Sequence, residues 1–318
     1  GTVEQDVWRR DFTVNALLYN VQTQEVIDYV GGVDDLAHRT LRMIGDPEAR
    51  YREDPVRMLR AIRFAAKLDF TLEPATGDII PHHADLLSRV SPARLFDETL
   101  KLLHGGKAAN TFQHLREYGL LNYLFPSTEA ALNHEKNQAF IAAFITQALH
   151  NTDSRVRDNR PVNPAFLFAV MLWFDAEKRA RVLREDGCPN LQSYHVAATE
   201  IFKEQAKFTA IPKRNTVTTR DIWALQARFD FRDCRRAKTF MTHPRFRAAY
   251  DFLCLRAHAS GSTDEIALCD WWTSFQSANE QQQEKMCQAE KAGKYKRKRK
   301  RKQISSSDQQ NSTSQSSK

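Results

Sequence analysis

The chain has 318 residues, of which 42% are hydrophobic and 27% are charged, a composition typical of globular proteins with one or two buried cores. Wholesale disorder is therefore excluded. The formal net charge is +8, but residues 291–318 contain ten Lys and Arg against Asp308 alone, so the first 290 residues carry a charge of −1. The longest apolar run, residues 165–174, is half of the about 20 residues that cross a bilayer, and we predict no transmembrane segment.

The first 50 residues predict a mixed α/β region. Residues 25–30 (EVIDYV) are rich in β-branched and aromatic side chains and predict a short strand. The glycine pair at 31–32 ends it, and we expect Asp34 and Asp35 to cap a short helix. Residues 41–44 predict a second short extended segment before Gly45-Asp46-Pro47.

From residue 51 onward the pattern indicates helices. Apolar residues recur at helical spacing between proline and glycine breaks, and Ser91-Pro92 resembles a capped helix start. After Trp272 the composition becomes rich in Gln, Lys and Ser, and the segment 291–318 cannot bury enough apolar area to order itself. The predicted fold class is therefore mainly α, with a short α/β region first and a disordered basic tail last.

Five cysteines are scattered without a zinc-binding spacing, at positions 188, 234, 254, 269 and 287. An odd number without CxxC suits reduced thiols in a cytosolic protein. We predict no metal site on the chain. The first residues, GTVEQDVWRRDF, are acidic and basic rather than an apolar signal region, so we expect no export signal.

Two clusters of charge carry candidate chemistry. Arg9, Arg10 and Asp11 stand together, and two guanidiniums can hold a polyphosphate while a carboxylate accepts from a ribose or ligates Mg²⁺. Around a helix that Asp54 can cap, with Pro55 in its first turn, one face holds Glu53, Arg57, Arg60, Arg63 and Lys67, opposite an apolar face. Taken alone, the first cluster is better explained by exposed arginines at a helix start, and the second by a solvated helix with ion pairs.

Two further stretches are candidates for binding nucleic acid. Residues 220–256 interleave basic and aromatic side chains, which suits RNA, although helical spacing favours a core position for most of the aromatics. The tail is a denser run of cations, which typically binds polyanions, with a membrane surface or a solubilising role as alternatives. Its eight candidate RNA-binding residues are Lys294, Lys296, Arg297, Lys298, Arg299, Lys300, Arg301 and Lys302.

Three motifs, RRDFTVNALLYN, DYVGGVDDL and IGDPEARYREDPVRMLRAIRFAAKL, resemble in this order the class II nucleotidyltransferases of the polymerase-β superfamily. That family comprises bacterial poly(A) polymerases and CCA-adding tRNA nucleotidyltransferases. Downstream segments such as PARLFDETLKLL and HPRFRAAYDFLCLRA are similar to the helical body of the poly(A) polymerases. The resemblance covers residues 1–275 and favours the polyadenylating branch.

The resemblance implies four regions: the C-terminal part of a nucleotidyltransferase head (1–50), a helical neck (51–105), a helical RNA-binding body (106–290) and the tail (291–318). It implies that Asp11 is catalytic, at a metal or the ribose, and that Arg9 and Arg10 lie near the triphosphate. Glu53, Asp54 and Arg57 match the EDxxR motif that reads the incoming base, and Arg60 continues that nucleotide-binding face.

The same resemblance implies an enzyme that adds AMP from ATP to RNA 3′ ends in the cytoplasm, with RNA-decay proteins as further partners. The DxD pair that binds Mg²⁺ in the family's head is not found in the sequence, so we expect a chain truncated in its head and inactive alone. A CCA-adding enzyme and a non-catalytic RNA-binding helical module remain the alternatives.

Overall fold

The computed structural model describes residues 1–134 and 136–290, and the predicted disordered tail lies outside these ranges. The chain divides into two compact units, one covering Gly1–Trp223 and the other beginning at Ala224. Among the described residues no helix is long and apolar enough to cross a membrane. The prediction of four functional regions stays a prediction.

The first unit opens with short elements that mix helix and strand. Strands β1 and β2 pair antiparallel, whereas β3 and β4 pair parallel. A 3₁₀ turn, Thr13–Asn15, precedes β1. The elements are α1 (Val3–Arg9), β1 (Leu18–Asn20), β2 (Glu25–Ile27), α2 (Gly32–Ala37), β3 (Thr40–Leu41), α3 (Pro47–Glu53), α4 (Val56–Leu68) and β4 (Thr71–Leu72).

The rest of the first unit is helical, which confirms the predicted fold class. Within the described ranges, β4 is the one departure from the all-helical structure expected beyond residue 51. A second 3₁₀ helix spans Ala84–Arg89. The helices are α5 (Pro74–Gly77), α6 (Ile80–His83), α7 (Pro92–Leu103), α8 (Ala108–Glu117), α9 (Leu121–Leu124), α10 (Pro126–His134), α11 (Gln138–Arg157), α12 (Pro164–Met171), α13 (Trp173–Glu185), α14 (Asn190–Gln205) and α15 (Lys213–Gln226).

Helix α2 packs tightly against the segment that follows the first charge cluster. A Cβ atom on Gly32 would lie 2.4 Å from the carbonyl oxygen of Thr13, so glycine is needed for this approach. The hydroxyl of Thr13 donates to Asp35 at 2.7 Å, and Arg42 donates to the same carboxylate. The second glycine of the pair therefore fixes the position of the residues after Asp11.

The expectation that Asp34 and Asp35 cap α2 is wrong. Asp35 is buried against Thr13. At the start of the helix, the backbone N–H groups of Val30 and Val33 donate instead to the carboxylate of Asp28. Burial opposes ionisation of Asp28, but these backbone N–H groups outweigh it and lower the pKa of the carboxyl. Gly31, in a left-handed conformation with φ of 80°, turns the chain so that Asp28 can reach.

Helices α4 and α7 supply much of the first unit's core near the charge clusters. The predicted apolar face of α4 is buried, and so is that of α7, which begins at Pro92 with Ser91 accepting from the backbone of Arg94 as predicted. Both helices pack against each other and against α8. The polar face of α4 is therefore held in place by burial of its opposite side.

The second unit is helical around an aromatic core. Phe229, Phe240, Phe246, Trp272 and Phe275 are buried there. Within residues 220–256 every aromatic side chain except Phe231 is buried, so the prediction of a core position for most of them is confirmed. The indole Nε1 of Trp272 also donates to the carbonyl oxygen of Phe229 at 3.0 Å. The helices are α16 (Cys234–Met241), α17 (Phe246–Ser260), α18 (Thr263–Ser277) and a last helical stretch at residues 280–290.

The expectation of reduced thiols is wrong for four of the five cysteines. Cys234 is paired with Cys287, and Cys254 with Cys269, at Cα separations of 5.6 and 5.1 Å. Cys188 is free. Residues distant in sequence meet because α16, α17, α18 and residues 280–290 pack around one core, an arrangement that sequence spacing does not report.

Candidate functional site

The first charge cluster and helix α4 meet at the carboxylate of Asp11. Arg57 donates through Nε to Oδ1 at 3.2 Å, and Arg60 donates through Nε to Oδ2 at 2.5 Å. The side chain of Asp11 is only 14% exposed. A buried carboxylate requires such partners, because an unpaired charge away from water is costly. Residues of the two predicted nucleotide-binding motifs are thus in direct contact.

Arg57 is the most buried member of the cluster, with 8% of its surface exposed. Its Nη1 donates to the carboxylate of Glu53 at 2.6 Å and to the carbonyl oxygen of Arg50 at 2.9 Å. The side-chain hydrogen bond from Arg57, together with its charge, lowers the pKa of Glu53. Glu53 therefore stays ionised well below neutral pH and keeps Arg57 oriented.

Glu53 does not belong to the same helix as Arg57, contrary to the single helix that the sequence predicts. It ends α3, and the chain leaves helical geometry at Asp54 before α4 begins at Val56. Pro55 explains the break, because a residue before proline is pushed away from the helical region. Asp54 accepts the backbone N–H of Val56 at 3.2 Å and pairs through Oδ2 with Arg94 at 2.8 Å.

Arg50 holds the site together, and the sequence analysis missed it. Its Nη2 donates to the carbonyl oxygens of Arg9 and Arg10, at 2.9 and 2.7 Å, while Nη1 pairs with Glu53 at 2.8 Å. Its side chain is 16% exposed. In the sequence, the one signal for this role of Arg50 is its position three residues before Glu53. Its other partners are main-chain oxygens, and these require no particular side chain that a sequence pattern could reveal.

The remaining arginines of the site differ in how many of their hydrogen-bond donors are already bonded. Arg10 is bound by Asp6 and by the carbonyl oxygen of Asn15, whereas the side chain of Arg9 is exposed and has no ion pair within the described ranges. The terminal nitrogens of Arg60 likewise have no hydrogen-bond partner among the residues that the structure covers. These two arginines retain donors for a ligand.

Arg63 continues the polar face of α4 beside Phe64. Its guanidinium carbon lies 4.5 Å from the Phe64 ring centroid, and that of Arg60 lies 5.5 Å from it. Desolvation and the nearby charge of Arg60 lower the pKa of Arg63. The cluster holds more guanidinium than carboxylate charge, so it suits an anionic ligand such as a phosphate.

The residues present do not form a Mg²⁺ site. Among those that the structure describes, no three His, Cys, Asp or Glu side chains converge on a point, and both oxygens of Asp11 already accept from arginines. Mg²⁺ needs several convergent oxygen ligands. The eight tail residues from Lys294 to Lys302 that the sequence assigns to RNA binding lie outside the described ranges.

Three family models match the chain. They are "Poly A polymerase head domain" over residues 1–42, "Probable RNA and SrmB- binding site of polymerase A" over 69–132, and "Polymerase A arginine-rich C-terminus" over 186–305. Together they cover more than half of the chain. The first contains Asp11 with its flanking arginines, while α3 and α4 lie between the first and second matches.

Curated proteins with similar sequences are named as poly(A) polymerases or as CCA-adding enzymes. Poly(A) polymerase I of Salmonella typhi is 46% identical over 287 residues, which are 90% of this chain and 62% of that protein. Poly(A) polymerase I of Haemophilus influenzae is 45% identical over 91% of this chain and 64% of its own length. The CCA-adding enzyme of Levilactobacillus brevis is 42% identical, over 38% of this chain. The chain spans about three-fifths of the length of the curated poly(A) polymerases that it matches.

Solved structures share the fold at lower identity. The Bacillus stearothermophilus CCA-adding enzyme in complex with CTP is 24% identical, with a TM-score of 0.56 over 87% of this chain and 60% of that one. The Thermotoga maritima CCA-adding enzyme complexed with tRNA is 19% identical, with a TM-score of 0.57 over 86% of this chain and 60% of that one.

Replacing Arg50 by Ala should loosen the segment around Asp11. The change leaves the carbonyl oxygens of Arg9 and Arg10 without this donor and removes one of the two guanidinium groups that pair with Glu53, and we expect it to lower the free energy of unfolding by about 1–3 kcal/mol. Hydrogen exchange should accelerate at the amide of Ile44, which donates to the carbonyl oxygen of Asp11 at 2.9 Å. Denaturant titration and hydrogen exchange by NMR measure both effects.

Arg52→Ala is the matched control on the same helix. Arg52 pairs with Glu48, and both side chains are about half exposed, so its removal should cost less than about 1 kcal/mol. Equal effects of the two substitutions on stability and on Ile44 exchange would show that Arg50 does not hold the segment.

Proposed function

The chain belongs to the poly(A) polymerase family of nucleotidyltransferases, and on that premise we propose that its protein adds AMP from ATP to RNA 3′ ends without a template, releasing pyrophosphate. The observation that carries the proposal is the contact of Asp11 with Arg57 and Arg60. This contact joins the family's head motif to its base-reading motif in one positively charged site.

Each group has a role that its surroundings favour. Arg9, exposed and unpaired within the described ranges, is placed to bind triphosphate oxygens, and Arg10 supports the same loop through Asp6 and Asn15. Asp11 orients Arg57 and Arg60 and is the group nearest to a ribose or metal in the family's motif. Mg²⁺, when bound, would activate the 3′-hydroxyl and stabilise the leaving pyrophosphate.

Adenine selection is assigned to Glu53, Asp54, Arg57 and Arg60. Arg57 and Glu53 hold each other rigidly, and Arg60 keeps its terminal donors. A fixed pattern of donors and acceptors can distinguish one base edge from another, because the wrong base leaves buried polar groups unpaired. Asp54 contributes indirectly, through Val56 and Arg94.

CCA addition to tRNA is the second candidate function. The CTP and tRNA in the titles of the similar solved structures belong to those CCA-adding enzymes. The curated CCA-adding enzymes align over less than two-fifths of this chain, whereas the poly(A) polymerases align over about nine-tenths. This difference in coverage favours polyadenylation.

RNA is the proposed partner, through the body and the tail from Lys294 to Lys302. RNA-decay proteins as further partners, and a cytoplasmic location, stay predictions from the family. The cysteines no longer support that location, since four of them are paired.

The activity is tested with the complete natural protein, Mg²⁺, a short RNA unrelated to tRNA, and each nucleoside triphosphate in turn. We expect long tails with ATP alone. Addition limited to a few nucleotides, with C required before A, would assign the protein to CCA addition. Binding of RNA without any extension would favour the non-catalytic module.

Arg57→Ala should reduce the preference for ATP over CTP in the same assay. Losing a fixed base contact costs about 1–3 kcal/mol of discrimination, or roughly 5- to 150-fold in the ratio of kcat/KM values. Arg52→Ala, exposed on α3, should leave the ratio unchanged. A lower RNA affinity with an unaltered ratio would make Arg57 a phosphate contact instead.

Deleting residues 294–302 should weaken RNA binding equally for all sequences and leave the preference for ATP intact. Each phosphate that the tail neutralises on a single strand adds about 0.7 to the slope of log K against log salt, so removing eight cations should lower the slope by up to about 5.6. Titrations of A-rich and mixed oligonucleotides at several salt concentrations measure it. An unchanged slope would favour an acidic membrane or protein surface as the partner of the tail.

A further inference from the structure

The last helical stretch of the second unit, residues 280–290, lies as an acidic strap against the basic helix α16. The strap contains three Glu and one Lys, a charge of −2, whereas α16 contains three basic residues and no acidic one. Lys238 of α16 lies 3.4 Å from Glu280, and Arg232, just before α16, pairs with Glu290 at 2.7 Å. Opposite charges therefore meet at both ends of the strap.

The non-covalent contacts of the strap are few. The side chain of Glu280 is 89% exposed, and an ion pair that exposed to water adds little stability to its partner Lys238. The pair at the other end of the strap is about one-fifth exposed. Gln283 donates through Nε2 to the carbonyl oxygen of Phe275 at 3.0 Å, and Met286 packs partly buried against the aromatic core. So few contacts leave a large share of the attachment to a covalent bond.

That bond is the disulfide between the strap and the first residue of α16. Cys287 of the strap is buried, whereas Cys234 is only partly buried. The two cysteines are 53 positions apart, and a cross-link over so long a loop strongly restricts the open chain. The sulfur of Cys234 is therefore the one that a thiolate from solvent can reach.

The second disulfide holds a different kind of structure. Cys254 of α17 and Cys269 of α18 are 15 positions apart, on two helices that pack against each other. Leu253 and Trp272, next to these positions, are buried in the aromatic core. Burial of these apolar faces keeps α17 and α18 together without the bond. Reduction of both disulfides should therefore release the strap and leave the helix pair in place.

We propose that the Cys234–Cys287 bond is a redox-sensitive latch, which a dithiol opens and a disulfide oxidant closes. A thiolate of the dithiol attacks Sγ of Cys234 and displaces Cys287, which takes up a proton and becomes a thiol. The second thiolate then attacks the dithiol's own sulfur in the mixed disulfide and displaces Cys234. The dithiol becomes a cyclic disulfide, and its two electrons and two protons convert the cystine into two thiols.

Opening the latch changes the charge that the second unit presents. When the strap leaves α16, Arg232 and Lys238 lose their partners Glu290 and Glu280. A surface that is partly neutralised in the oxidised chain becomes more positive in the reduced one. The latch thus couples the redox state of one bond to the exposure of two cations.

The test begins by counting the free thiols of the 318-residue chain, with iodoacetamide in denaturant and mass spectrometry. The air-oxidised chain should take one label, on Cys188, and the chain reduced with dithiothreitol should take five. Hydrogen exchange of the native chain then follows the strap. Reduction should accelerate exchange at residues 284–290 at least about tenfold while α17 stays protected. Oxidised dithiothreitol should restore slow exchange.

Two double substitutions separate the disulfides without a reductant. Cys234→Ser with Cys287→Ser should show fast exchange of the strap from the start, and dithiothreitol should not change it. Cys254→Ser with Cys269→Ser is the matched control, because it keeps the latch. Its strap should exchange slowly until dithiothreitol is added. Slow exchange in α17 of both variants should show that the second unit is folded.

Three results would overturn the latch. Five labels on the air-oxidised chain would mean that the disulfide does not form. Unchanged exchange of the strap after reduction would mean that non-covalent contacts hold it. Loss of protection in α17 together with the strap, on removal of Cys234 and Cys287, would make the bond a staple of the whole unit. These measurements use neither RNA nor nucleotide, so their outcome is independent of the proposed function.

Discussion

The ion cluster around Asp11 is the constraint on which the first unit's candidate site depends. It joins residue 11 to residues 57 and 60 across more than forty positions of sequence. A buried ion pair gains little net stability, because desolvation offsets most of the attraction, but losing one partner leaves an uncompensated charge. The cluster therefore enforces one arrangement of α4 against the N-terminal loop more than it adds to stability.

Contacts between residues closer together in the sequence support this arrangement from the opposite face of the loop. Gly32 lets α2 approach Thr13, and Asp35 accepts from the Thr13 hydroxyl and from Arg42. The backbone of Thr13 donates to the carbonyl of Arg42. The loop that carries Asp11 is thus held by backbone packing on one face and by guanidinium groups on the other, so the carboxylate has little freedom to turn.

Local patterns predicted the helices well, because apolar spacing along α4 and α7 directly records which face is buried. They also singled out Asp11 and Arg57 as candidate site residues, which stays a prediction. They did not predict that these two side chains touch, since a contact across 46 residues leaves no periodic trace. The two disulfide pairings were not predicted for the same reason. Asp54 and Pro55 correctly indicated a helix start, but the charge pattern also counted Glu53, which ends the preceding helix, on the face of α4.

Arg50 binds the carbonyl oxygens of residues 9 and 10, not their side chains. Every amino acid provides the same carbonyl group, so this anchor is indifferent to what the two residues are. A substitution of the exposed Arg9 can thus change the surface of the site while this anchor keeps its place, whereas the side chain of Arg10 itself holds the loop through the carbonyl oxygen of Asn15. Position 9 can in this way vary without first rebuilding the scaffold, a separation of anchorage from surface chemistry that makes this part of the site evolvable.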